Sequence, residues 1–364
     1  MLRFLRWFAL FLGVLVVLIL WQHSQLAILA LTRIDPVPET RAMMSEDRYA
    51  EAADNLAFFL DYDYVRNDPT ALELNDDIAA IRGSLIYQAK KVTEGFLQGT
   101  SDETLGQVTG VVTDLLVIGD IRDLVVQGGY WVRGDSVDQV IVALSTIGLV
   151  ATASQLASSF ATVGSAGTAA PTVVGSSMVK SSITTLKQAH RFGHLPGWLS
   201  ETLISSAKTV RQTGNIDAVV ELMDNVRRLA AVRGGLELLS RTRGAESLSR
   251  LAQISETFGN ATRTLFRLGG DTFVRSAQRA QHAEGVRLAA TYGVEGLRQL
   301  DHVGPTRFVK YSARSAKILY RGDVVQRIAR LLIKLPDGLL YGVLILTSFL
   351  WLPWRWMWRR MLTV

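Results

Sequence analysis

The stretch VIVALSTIGLVATASQLASSFATVGSAGTAAPTVVGSSMV, Val140–Val179, decides the architecture. It lies inside a charge-free run from Gln139 to Val179, long enough for one membrane span or for a tight helical hairpin. Ala153, Ala157, Ala161 and Ser165 recur at every fourth position and lay a smooth seam along one helix face. Small residues at that spacing let two helix backbones approach closely. Ser and Thr are abundant, and Gln155 sits near the centre, so a hairpin buried in a protein core fits as well as a span. A span would put the residues before and after it on opposite sides of a membrane, whereas a hairpin keeps them together. The hairpin is the expected form.

The charges on either side of this run are segregated. Ile34 to Val140 contains 20 acidic and 8 basic residues, and Leu186 to Lys334 contains 12 acidic and 24 basic. Two readings follow: the acidic and basic parts attract each other within one fold, or the basic part faces anionic lipid. The arginines are spread along helices and match no nucleic-acid-binding motif, so no nucleic-acid partner is expected.

Both ends of the chain are strongly apolar. At the N-terminus, MLRFLRWFALFLGVLVVLILWQ places Arg3 and Arg6 before an uncharged run bracketed by Trp7 and Trp21. Those tryptophans have the character of interfacial anchors. A basic start and an apolar run also describe a signal peptide, but Ala27 and Ala30 are one residue off the usual cleavage spacing. An uncleaved anchor is expected. At the C-terminus, Gly338 to Trp354 is uncharged, and Trp351 and Trp354 with Arg355, Arg359 and Arg360 form an aromatic and basic edge. That edge suits a second span or an interfacial helix. Arg3 and Arg6 place the N-terminus inside by the positive-inside rule, with the central region outside. On the other side of the second segment, Arg321, Arg327, Arg330 and Lys334 pull against that orientation.

The rest reads as helix after helix. Ser45 is a candidate N-cap, followed by Glu46 and Asp47 in a first turn where the helix dipole favours anions. Ile78, Ile81, Leu85 and Ile86 are spaced as one apolar face. Three further stripes are expected to pack: Val219, Leu222, Val226 and Leu229; Leu248, Leu251, Ile254 and Phe258; and Val324, Ile328, Leu331 and Leu335. Glycines punctuate these helices irregularly, so no solenoid repeat is present.

Carboxylates set among apolar residues are the candidate functional groups. In VVTDLLVIGDIRDLVVQGGYW, Val111–Trp131, these are Asp114, Asp120 and Asp123. Gly119 and Asp120 read as a helix end and the cap of the next helix, with Asp123 in its first turn. The pattern returns at Gly134, Asp135 and Asp138, and in weaker form at Gly322, Asp323 and Gln326. Recurrence before apolar runs points to capping. Asp114 lies inside an apolar run and has no such explanation. Enclosed by a membrane, the three could serve a cation or a proton.

The segment from Gly106 to Val163, with its GD-x-x-D pattern and small-residue hairpin, resembles the pre-toxin segment of bacterial polymorphic toxins. That resemblance implies a bacterial helical module at a membrane. Downstream, helices and a membrane segment stand where that family places a toxin domain.

Other chemistry has little support. The chain has no Cys, so thiolate metal sites and Cys nucleophiles are excluded. His190 and His194 share the i, i+4 spacing of helical metal ligands, but Gly193 and Pro196 mark a helix end there. The Gly-rich stretch Gly164–Ser177 lacks the Lys of a phosphate loop. Neither an enzyme nor a cofactor is expected.

The expected molecule is therefore all-α, with a terminal anchor over 1–31, an acidic helical region over 32–136 and the neutral hairpin over 137–182. A basic helical region over 183–336, a transmembrane or interfacial helix over 338–354 and a basic aromatic tail over 355–364 complete it. It acts as an inner-membrane scaffold whose partners are membrane lipid and a protein or a second copy. A toxin- or secretion-related membrane module and an ion- or lipid-handling protein are the alternatives.

Overall fold

The computed structural model describes residues 2–21, 23–88, 123–130, 136–162, 171–279, 283–319, 323–333 and 336–351. The described residues form helices and turns, with no strand among them, so the all-α expectation holds. In chain order the helices are α1 (Leu2–Trp21), α2 (His23–Ala30), α3 (Val37–Ser45), α4 (Tyr49–Leu60), α5 (Asp63–Arg66) and α6 (Pro69–Gly83). Then come α7 (Gln139–Thr162), α8 (Pro171–Arg191), α9 (Gly197–Thr213), α10 (Asp217–Ala230), α11 (Gly235–Ser240) and α12 (Ala245–Phe258). The series ends with α13 (Ala261–Arg279), α14 (Ala283–Ala290), α15 (Gly293–Val303), α16 (Pro305–Leu319), α17 (Asp323–Ile333) and α18 (Asp337–Trp351). Residues 123–130 are also helical.

The chain divides into two compact units, one of residues 35–274 and one joining 1–34 to 275–364. In the larger unit, α7 and α8 pack against each other, and α9 and α10 close over them. Leu144, Ile147, Ala151, Leu186, Leu199, Leu203, Val219 and Met223 are fully buried in this core. Each large side chain among them contributes about 1.5–3 kcal/mol of burial. The neutral stretch, where described, is therefore a hairpin inside a protein core. Ser182 fastens it, its hydroxyl donating to the Met223 carbonyl at 2.7 Å.

The seam begins away from that core. Ala153 is exposed, because the packed face of α7 runs through Leu144, Ile147 and Ala151. The side chains of Ala157 and Ala161, and all of Ser165, lie outside the described residues.

Local signals are partly corrected. Ser45 ends α3, with its hydroxyl on the Ala42 carbonyl at 2.7 Å, and does not begin α4. Helix α4 instead begins at Tyr49, after Arg48, while α3 opens at a Pro-rich entry where Asp35 accepts the Val37 N–H at 3.0 Å. Asp68 caps α6 by accepting the Thr70 N–H at 3.0 Å, with Pro69 at the first helical position. Ile78 is buried, but α6 stops at Gly83, and Leu85 and Ile86 turn outward. The stripes of α10 and α12 pack as expected: Val219, Val226, Leu229, Leu248, Leu251, Ile254 and Phe258 are buried. The stripe of α17 does not, because Ile328 and Leu331 are exposed while Ala329 is buried and Leu332 packs against Val16, Ile19 and Leu340.

In the smaller unit, α1 runs antiparallel to α18. Val16 and Ile19 pack with Leu340, and Gly13 lies opposite Thr347. A Cβ at Gly13 would meet the Thr347 Oγ1 at 3.1 Å, so this position sets the close approach of the two helices. The pairing continues beyond them: Leu26 of α2 and Leu332 of α17 both pack against this cluster, α17 lies against α2, and Arg330 donates to the Thr32 hydroxyl at 2.7 Å. Helices α14, α15 and α16 gather beside α2, where the Ile34 N–H donates to the Thr291 carbonyl at 2.8 Å. Among the described residues, no helix is long and apolar enough to cross a membrane, so the structure does not support the expected terminal spans.

Candidate functional site

Asp114 and Asp120 lie outside the described residues. Asp123 is the first described residue of the helical stretch 123–130, and its carboxylate sits 2.6 Å from the Lys187 ammonium on α8. Three residues along α8, the Nε2 of His190 lies 2.7 Å from the Asp138 carboxylate. Asp138 is the cap of α7, accepting the Val140 and Ile141 N–H groups at 3.0 and 3.1 Å. The expected cap at Asp135 thus falls three residues later, on Asp138. The Asp138 N–H in turn donates to Gln127 at 2.9 Å, which ties 123–130 to the start of α7.

The electrostatics of this cluster are internally balanced. Burial pushes the Asp138 carboxyl up, but the bond with His190 and the N–H groups of Ile141 and Val140 hold it below the usual carboxylate range. Lys187 occupies the position that a cation would take beside Asp123. The arrangement therefore pins the helical stretch 123–130 and the start of α7 to α8 through paired charges. His194 lies beyond the end of α8, where its N–H donates to the Ala189 carbonyl at 2.8 Å. Among the described residues, no group of three or more His, Asp or Glu could hold a metal ion.

A second cluster was not singled out from the sequence. Glu51 on α4 is 5% exposed, and its carboxylate meets Arg263 at 2.9 Å, Arg267 at 3.1 Å and Arg48 at 2.5 Å. Arg263 also pairs with Glu237, and Arg267 with Glu39 at 3.2 Å and the Asn55 carbonyl oxygen at 2.5 Å. Burial pulls the Arg267 guanidinium below its ordinary value, against the opposing pull of Glu39 and Glu51. Arg233 adds a bond to Asp54 at 2.9 Å. Here acidic helices α3 and α4 are locked to the arginines of α13 and to Arg233 just before α11, so the segregated charges attract within one fold. The local signal is the matched i, i+4 spacing of Glu51 with Asn55 and of Arg263 with Arg267.

The third feature is a surface. On α1, Trp7 (69% exposed), Phe8, Phe11 (65%), Val14 and Val17 face outward, as do Tyr341, Ile345 (66%) and Leu346 on α18. Large apolar side chains are thus exposed on both helices of the antiparallel pair, in a number that monomeric soluble proteins rarely show. Of the expected interfacial anchors, the side chains of Trp21 and Trp351 are outside the described set, as are residues Trp354, Arg355, Arg359 and Arg360. No protein-family model, curated protein or solved structure matches the chain.

Proposed function

We propose that this is a membrane-attached helical scaffold, held to the bilayer by the α1–α18 pair. The outward apolar face of that pair carries the reading. Tryptophan, phenylalanine and branched aliphatic side chains that no described residue covers gain free energy by entering lipid, at about 25 cal/mol per Å² removed from water. In this reading the host is bacterial and the membrane is the inner one. The body of the protein lies on the periplasmic side, because Arg3 and Arg6 precede the first apolar helix. Partners are lipid and a protein or a second copy. The paired state of Asp123 and Asp138 supports a structural role for those carboxylates over ion handling.

Reporter fusions at Thr100, Gly214 and the C-terminus test the topology. Thr100 and Gly214 are expected on the same, outer, side, with the C-terminus inside. Opposite sides for Thr100 and Gly214 would overturn the reading.

A further inference from the structure

Helix α17 carries a face that membrane attachment alone leaves unexplained. It was expected to bury Ile328 and Leu331, yet these are 51% and 67% exposed. Arg327 and Arg330 lie exposed on the same helix. The order Arg-Ile-Ala-Arg-Leu thus presents guanidinium and aliphatic groups together on one surface.

Its position is fixed by the antiparallel register. Gly13 faces Thr347, Val16 and Ile19 pack with Leu340, α2 lies against α17, and Thr32 bonds Arg330. Moving along α1 into α2 therefore means moving back along α18 into α17. Helix α17 sits at the end of the apolar pair remote from the chain termini, where the apolar run gives way to charge. Arg330 is anchored there through the Ala30 carbonyl at 3.3 Å and the Thr32 hydroxyl at 2.7 Å. Those bonds use its Nε and Nη2.

The charge balance names the acceptor. Residues 1–34 and 275–364 hold 18 Lys and Arg against 5 Asp and Glu. Within α16 and α17 there are six basic residues and one Asp. On α16, Arg307, Lys310 and Arg314 are exposed beside the buried Phe308.

We infer that α17 lies on the anionic headgroups of the bilayer that the α1–α18 pair enters, an inference that rests on the membrane reading above. Ile328 and Leu331 enter the boundary between headgroups and acyl chains, and Arg327 and Arg330 bond lipid phosphates. Basic residues near an anionic surface gain about 1 kcal/mol each, so loss of two weakens attachment to anionic membrane about 30-fold.

The chain has no Cys, so Ile328→Cys gives a single labelling site for a polarity-sensitive fluorophore. Full-length labelled protein is mixed with vesicles of neutral phosphatidylcholine, or with vesicles containing phosphatidylglycerol, and floated on a density gradient. The expected result is flotation with both, a blue shift at position 328 only with anionic vesicles, and loss of that shift in Arg327→Gln/Arg330→Gln. The paired Lys variant keeps the shift. Flotation without any shift would overturn the α17 assignment and leave the membrane reading standing. An equal shift with neutral vesicles would overturn the role of headgroup charge. Failure to float with either would overturn the membrane reading itself.

Discussion

Asp138 caps α7 through two backbone N–H groups and lies 2.7 Å from His190 on α8. One side chain therefore both starts a core helix and fixes it to its hairpin partner. Asp138→Ala is expected to lose the cap and the pair together, at about 1–2 kcal/mol. Asp138→Asn keeps an acceptor for the N–H groups and is expected to cost less than the alanine variant. Urea unfolding of the full chain in mild detergent measures the difference.

The same carboxylate gives a pH dependence with a defined sign. Its pKa in the folded protein is held below the ordinary value, so the unfolded chain takes up the proton first as pH falls. The stabilisation is complete above the unfolded carboxylate pKa and disappears as pH drops through the lower folded value. Wild type is expected to lose stability in that acid window more steeply than Asp138→Asn. Thermal melts across the acid limb compare the two; parallel limbs would contradict the assignment.

Glu51 is a buried carboxylate that compensates two part-buried guanidiniums. Glu51→Gln leaves Arg263 and Arg267 short of their shared negative charge and is expected to cost about 3–5 kcal/mol, as when one partner of a buried ion pair is removed. Glu39→Gln, at a more exposed carboxylate, is expected to cost less than 1 kcal/mol. The ratio of the two losses, read from denaturant midpoints, checks that the network centres on Glu51.

Much of this fold was legible because its cause was local. The core stripes of α10 and α12 followed from helical periodicity, and the neutral hairpin from the absence of charge between Gln139 and Val179. What was not legible depended on contacts between distant segments. Periodicity marked Ile328 and Leu331 as a packing face, but whether such a face meets protein depends on where the neighbouring helices lie, and Ala329 and Leu332 turn inward instead. Charge counting showed opposed acidic and basic regions without identifying Glu51, Arg263 and Arg267, which are far apart in sequence. Of the three carboxylates, Asp123 was recognisable as a charged group near a helix start, but its partner Lys187 follows only from the packing of α8.

The approach of α1 to α18 can be trapped directly. Gly13→Cys with Thr347→Cys is expected to form a disulfide under mild oxidation, since the backbones at these positions are close. Gly13→Cys with Leu340→Cys, displaced by about two turns, is expected to remain reduced. Gly13→Leu is expected to spread the pair and abolish the cross-link between neighbouring engineered positions. Non-reducing electrophoresis reads all three.

The central claim is that the apolar face of α1 and α18 lies in lipid. The direct measurement is fractionation of cells expressing the full chain, followed by high salt, alkaline carbonate and detergent washes of the membranes. The expected result is that the chain stays in the membrane pellet through salt and carbonate and is released only by detergent. Recovery in the soluble fraction, or release by salt alone, would contradict the account.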